Sequence, residues 1–180
     1  MPTVTIFGSS QAKEEDPDYN AGRALGKKLA EAGYTVCNGG YGGIMEATAR
    51  GAKEAGGKTI GVTTEDFGGP LNRWIDREIK MKKWSERLFK LIGLGDAYVI
   101  FDGGTGTLVE LFVVWEMSNK DFIKNPVVVF GKQLQNLVGQ VRSFPQVIDN
   151  PRIFFKEAPD EVVKSLDERM GKRDVDTQRF

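Results

Sequence analysis

Between Asp102 and Glu110 the chain sets glycines, threonines and a carboxylate in an order that suits an anion. The run Asp102-Gly103-Gly104-Thr105-Gly106-Thr107 follows a β-branched and aromatic stretch, Tyr98-Val99-Ile100-Phe101. It leads into Leu108, Leu111, Phe112 and Trp115 at helical spacing. In such a strand–loop–helix unit the glycines allow close approach of a ligand. The unpaired N–H groups of the first helical turn, with the helix dipole behind them, suit a phosphate. Thr107 and Glu110 also fit an S/T-x-x-E capping box, which would serve the helix alone. Both readings stand on these residues.

Composition limits the remaining chemistry. Histidine is absent from the 180 residues, which removes the usual neutral-pH base and the usual zinc ligand. Proton transfer must rest on carboxylates, Lys, Tyr or Cys. The single cysteine, Cys37, excludes an internal disulfide and lies in an apparent strand, Tyr34 to Cys37, where a buried inert thiol is expected. No metal and no cofactor are implied. With 25 Lys+Arg against 25 Asp+Glu there is no global basic field, so nucleic acid is not expected as a partner. No signal peptide or span-length apolar run is evident, so neither a membrane partner nor export is expected, and the cytoplasm is the expected location.

The elements that must position these groups alternate. Thr3 to Phe7 reads as a buried strand ending in Gly8-Ser9-Ser10, and Ala21, Leu25, Leu29 and Ala32 mark a helix that stops near Gly33. Tyr34 to Cys37 enters Asn38-Gly39-Gly40-Tyr41-Gly42-Gly43, and a small-residue helix runs from Ile44 to about Ala55. Lys58 to Val62 is a third strand, Thr63 to Arg77 an irregular loop able to cover a site, and Ile79 to Leu94 a helix with Lys80, Lys83, Arg87 and Lys90 along a solvated flank. Val127 to Phe130 and Arg152 to Phe155 read as further strands, with helices near Leu134 to Val141 and from Pro159 to about Met170. The pattern predicts a Rossmann-like three-layer α/β/α fold around a mainly parallel sheet of six to seven strands. One domain over residues 1–170 and a loose polar tail over 171–180 are expected.

In an open parallel sheet every strand delivers its following loop to one edge, and ligands settle where the strand order reverses. Three small-residue loops occupy that position: Gly8-Ser9-Ser10, Gly39 to Gly43, and Gly103 to Thr107. A Walker loop is absent, and Gly104-Thr105-Gly106 lacks the third glycine of a dinucleotide fingerprint, which demotes ATP and NAD. A small phosphorylated ligand remains.

The octet Gly103-Gly104-Thr105-Gly106-Thr107-Leu108-Val109-Glu110 resembles the P-G-G-x-G-T-x-x-E motif of the LOG (Lonely Guy) family, often labelled "possible lysine decarboxylase". Gly39-Gly40-Tyr41-Gly42-Gly43-Ile44-Met45 is similar to that family's G-G-x-x-G-x-M segment, and Phe7-Gly8-Ser9-Ser10 resembles its opening loop. The resemblance implies a Rossmann-like dimer that hydrolyses a nucleoside 5′-monophosphate to free base and ribose 5-phosphate. It places Glu110 and Arg87 at the catalytic positions. Gly8, Ser9, Ser10, Gly39, Gly40, Gly43, Met45, Gly103, Gly104, Thr105, Gly106 and Thr107 fall at the phosphate and ligand positions. Asp102 departs from the family's Pro and Glu46 from its Gly, and an added carboxylate near a phosphate loop would oppose a dianion. The variant also resembles the branch related to molybdenum cofactor carrier proteins, which implies a non-catalytic carrier or sensor of a phosphorylated nucleotide-like or pterin ligand as the alternative. No residue is assignable as a pyridoxal-binding lysine, so a decarboxylase is not expected. The segment Thr107 to Met117 is apolar nearly all round, which predicts burial on two sides and a homodimer.

Overall fold

A computed structural model describes residues 1–171. The expected loose tail therefore lies, apart from Gly171, outside the described residues. Seven strands form one all-parallel sheet: β1 (Thr3–Phe7), β2 (Thr35–Asn38), β3 (Thr59–Thr64), β4 (Arg77–Met81), β5 (Ala97–Ile100), β6 (Val127–Val129) and β7 (Ile153–Phe155). Six helices alternate with them: α1 (Pro17–Glu31), α2 (Ile44–Glu54), α3 (Trp84–Leu94), α4 (Thr105–Asn119), α5 (Lys132–Arg142) and α6 (Pro159–Met170). The spatial order is β4-β3-β2-β1-β5-β6-β7. From β1 the chain winds outward to β4, then returns to lay β5 on the other side of β1, with Phe7 in register with Ile100. The reversal opens a crevice at the carboxyl ends of β1 and β5.

The inner strands β1, β2, β3, β5 and β6 are buried on both faces, and alternate residues serve opposite layers. On β1, Val4 and Ile6 join Leu25, Leu29 and Ile44 on the α1/α2 side, while Phe7 meets Leu91, Leu111 and Val114 on the α3/α4 side. Helices α1 and α2 pack at backbone distance. A Cβ at Gly26 would overlap the Thr48 carbonyl, and one at Gly51 would overlap the Arg23 carbonyl. Helix α6 is tied beside this layer by Tyr34, whose hydroxyl donates to Asp167 at 2.7 Å.

One expectation changes. The expected helix from Ile79 begins only at Trp84, because Arg77–Met81 pairs with β3 as the edge strand β4. Ile79 and Met81 sit two residues apart and turn inward, while Arg77, Glu78 and Lys80 remain exposed: a period of two, not of three to four. Helix α4 is buried on one side within the single chain. Leu111, Val114 and Trp115 are buried, while Val109 and Phe112 are 38% and 40% exposed. The open side of α4 joins Phe89 in a shallow apolar groove with Leu108, Val113 and Met117.

Candidate functional site

The crevice between β1 and β5 widens into a cleft of about 900 Å³. The loops after β1, β2, β3 and β5 reach it from successive positions along the sheet edge, and the first turns of α2, α3 and α4 complete its walls. Backbone hydrogen bonds hold the loops together. Ser9 N–H donates to the Asp102 carbonyl at 3.2 Å, and Ile44 N–H donates to the Ser9 carbonyl at 2.9 Å.

Helix α4 starts at Thr105, with Gly104 as its N-cap and no side chain engaged in capping. The capping-box reading of Thr107 and Glu110 is thereby corrected. Thr107 is the third residue of the helix and is buried, and Glu110 lies in the second turn. The free N–H groups of the first turn, together with the dipole of a 15-residue helix, form the electropositive end of the cleft. A Cβ added at Gly104 or Gly106 would meet nothing within 4 Å, so both leave open space before these donors.

The other glycines differ in role. Gly8 has no room for a Cβ, with Ile44 Cγ2 and the Phe101 Cβ each 2.9 Å from where it would sit. Gly39 is where the Arg87 guanidinium lies: a side chain there would overlap it and come within 2.6 Å of Met45 Sδ. Gly40 and Gly43 have φ of +77° and +68°, a region L-residues rarely adopt. Gly8, Ser9, Ser10, Gly39, Met45, Arg87, Gly104, Thr105, Gly106, Thr107 and Glu110 line the cleft together. Gly40, Gly43 and Gly103 do not line it. They shape the loops behind, Gly43 against the Ser9 and Ser10 backbone and Gly103 against Thr107.

Arg87, expected on a solvated flank by its pattern, is only 5% exposed. Its Nε donates to the Val62 carbonyl at 2.7 Å, and its guanidinium lies over the Tyr41 and Phe67 rings at 5.6 and 5.5 Å. Burial lowers its pKa, and the facing Glu110 carboxylate opposes that shift. Burial pushes the Glu110 carboxyl up to about 7, with Arg87 holding it down. No ion pair joins the two among the described residues, so each keeps hydrogen-bonding capacity toward the cleft. A carboxyl near neutrality can exchange a proton in the range where a histidine would, and the chain has no histidine.

The two departures from the LOG motif resolve differently. Asp102 turns away from the cleft and caps α5, its carboxylate accepting from Leu134 N–H at 2.8 Å and Gln133 N–H at 3.1 Å. The expectation that it opposes a phosphate does not hold. Glu46, in the first turn of α2, does line the cleft. Residues that sequence reasoning did not single out come chiefly from the irregular stretch after β3: Phe67, Asn72 and Arg73, joined by Tyr41 and Trp84. The signal available was the cluster of aromatic and amide side chains in a segment too irregular for core.

The fold and the cleft define a Rossmann-like α/β protein with an open cleft at the switch point of its sheet. The chain belongs to the SLOG cluster4 family, whose model matches residues 1–161. The likeness to LOG proteins stays a resemblance of motifs. An uncharacterized protein of Archaeoglobus fulgidus is 29% identical over 134 residues, 73% of this chain and 85% of that one. Among solved structures, TM1055 superposes with a TM-score of 0.77 at 26% identity, covering 93% of this chain and 99% of its own. The molybdenum cofactor binding protein of Rippkaea orientalis superposes with 0.76 at 22%, covering 94% and 97%.

One expectation about partners is overturned. DNA processing protein A of Helicobacter pylori, solved for its single-stranded DNA binding mode, shares the fold with a TM-score of 0.67 at 15% identity, covering 93% of this chain and 81% of its own. Neutral net charge was the ground for excluding nucleic acid. A sum over the chain says nothing of how charge is arranged around one sheet edge, and this fold is compatible with such a ligand. Among the described residues no helix is long and apolar enough to cross a membrane.

Proposed function

We propose that the cleft binds a nucleotide-like phosphorylated ligand and hydrolyses its N-glycosidic bond, releasing free base and ribose 5-phosphate. The observation that carries this reading is Glu110: a carboxyl in the second turn of α4, beside the open N-terminal donors and facing Arg87, outside any cap or ion pair. The helix N-terminus takes the 5′-phosphoryl group. As the C1′–N bond breaks, positive charge grows on the ribose. A carboxylate held there in a water-poor cleft is worth most in the transition state, where that charge exists. Arg87 neutralises phosphoryl charge and keeps Glu110 partly ionised at neutral pH. The departing base leaves with the bonding electron pair and takes a proton from water, while water supplies hydroxide to C1′.

A second reading, a non-catalytic carrier of a phosphorylated pterin, uses the same groups. It is favoured by a volume of about 900 Å³, toward the upper end of small-molecule sites, and by the fold shared with the Rippkaea orientalis molybdenum cofactor binding protein. Incubation with a panel of nucleoside 5′-monophosphates, scored for released base, tests the first reading. Turnover that disappears in Glu110→Gln supports it. Binding without any released base rejects hydrolysis and leaves the carrier.

A further inference from the structure

Besides the open first turn of α4, the cleft is lined by aromatic side chains that packing does not account for. Phe67 and Trp84 both line it, yet they are 43% and 40% exposed. Large apolar rings left open to water carry a cost that core packing would remove, and a concave site is where such exposure serves a ligand. Among the described residues Phe67 meets the tilted Tyr41 ring at 6.1 Å, and Trp84 stacks on no other ring.

Their backbones are nevertheless pinned. Asp66 reaches across to the start of α3 and accepts from Trp84 N–H at 2.6 Å, which fixes Phe67, the next residue, relative to Trp84. The Tyr41 hydroxyl accepts from Thr64 N–H at 3.1 Å and donates to the Thr64 carbonyl at 3.3 Å. Asn72 closes the segment onto the β2 loop, its N–H donating to the Gly40 carbonyl at 2.9 Å and its Nδ2 to the Tyr41 carbonyl at 2.8 Å. Hydrogen bonds thus fix the backbone that carries two open rings in the same cleft that presents the anion donors of α4. Arg87 occupies part of the Phe67 and Tyr41 faces and leaves Trp84 free.

We infer that Phe67 and Trp84 form the subsite for a planar nitrogen heterocycle, stacking on the base end of a ligand whose phosphoryl group sits at the N-terminus of α4. This rests on the phosphate reading above and adds to it the residues that recognise the other half of the ligand. Base–aromatic stacking tolerates every heterocycle with a π face, so the subsite selects for planarity and leaves the choice of base to polar groups around the ring.

The experiment is equilibrium binding of AMP, GMP and ribose 5-phosphate to the wild-type chain, Trp84→Ala, Trp84→Phe and Phe67→Ala. Trp84→Ala is expected to weaken AMP and GMP by about fivefold or more, the scale of one lost stacking contact. Ribose 5-phosphate, which lacks the ring, is expected to stay within about twofold, and Trp84→Phe to restore most of the loss. Phe67→Ala is expected to act in the same direction, but it also uncovers Arg87, so Trp84 decides. Equal weakening of all three compounds, or no change for the nucleotides, overturns the inference while the phosphate reading survives. Failure of the wild-type chain to bind any of the three overturns the phosphate reading, and the inference with it.

Discussion

Glu110 and Arg87 approach one cleft from separate helices, α4 and α3, close enough to shift each other's protonation in opposite senses to burial, yet without forming an ion pair. A closed pair would neutralise both. An open one leaves a carboxyl that titrates near neutrality and a guanidinium fixed by the Val62 carbonyl, each able to act on a ligand between them.

Glu110→Gln separates catalysis from folding. Because α4 is capped by Gly104 and not by a Thr107–Glu110 box, the amide should cost the helix nothing. Base release from a nucleoside monophosphate is expected to fall by about a hundredfold or more, the scale of losing one electrostatic stabiliser. The melting temperature at about pH 4, where the carboxyl is mostly protonated in the folded and unfolded chain alike, should stay put. Unchanged turnover would remove Glu110 from the chemistry.

The pH dependence has a definite sign for both rate and stability. The ionised carboxylate is the active form, so the rate should rise with pH through about 7, and the inflection should vanish in Glu110→Gln. For stability, the folded chain holds this proton more tightly than the unfolded chain. It therefore binds more protons than the unfolded state between the ordinary glutamate value of about 4.5 and about 7, and the contribution is lost as pH rises through that window. The loss is about 3 kcal/mol at most. Denaturation midpoints of wild type and Glu110→Gln should thus diverge as pH rises from about 4.5 to about 7 and run parallel above, where the variant is the more stable. Parallel curves from pH 4 to 8 would contradict the buried carboxyl.

Asp102→Ala should injure the fold and spare the cleft. Its carboxylate satisfies two free N–H groups of α5, and losing such a cap costs about 1 kcal/mol. Urea denaturation should register that loss while ligand affinity holds. A marked gain in phosphate affinity would mean that the Asp102 charge reaches the ligand after all.

Two glycines on the cleft wall should respond to alanine by different routes. At Gly39 the new methyl displaces the Arg87 guanidinium, so ligand binding should weaken through a residue with no functional group. At Gly104 the methyl meets open space, so thermal stability should be retained and any loss should appear as steric exclusion of the ligand. Binding and melting measured on both variants check the pair. Gly39→Ala with an unaltered ligand affinity would show that Arg87 is dispensable.

The alternation of buried strands and helices was legible in residue order, because a parallel sheet covered on both faces demands apolar runs, and glycine-bearing loops demand their own residue types. The convergence of the Ser9, Gly39 and Gly104 loops followed from topology alone. Residues 77–81 were not legible as a strand, since a five-residue edge element has little periodicity against the strong helical pattern beside it. Asp102 looked like a charge aimed at the ligand because sequence carries side-chain identity and not direction. Three-dimensional packing turned it to α5. Likewise Arg87 sits among basic residues on one flank of α3, and its burial beneath Tyr41 and Phe67 depends on a loop more than fifteen residues upstream folding back over it. Local pattern reports what each segment must bury. Which distant segments meet, and hence where a carboxyl is drawn toward neutrality, is decided only when the sheet brings them to one edge.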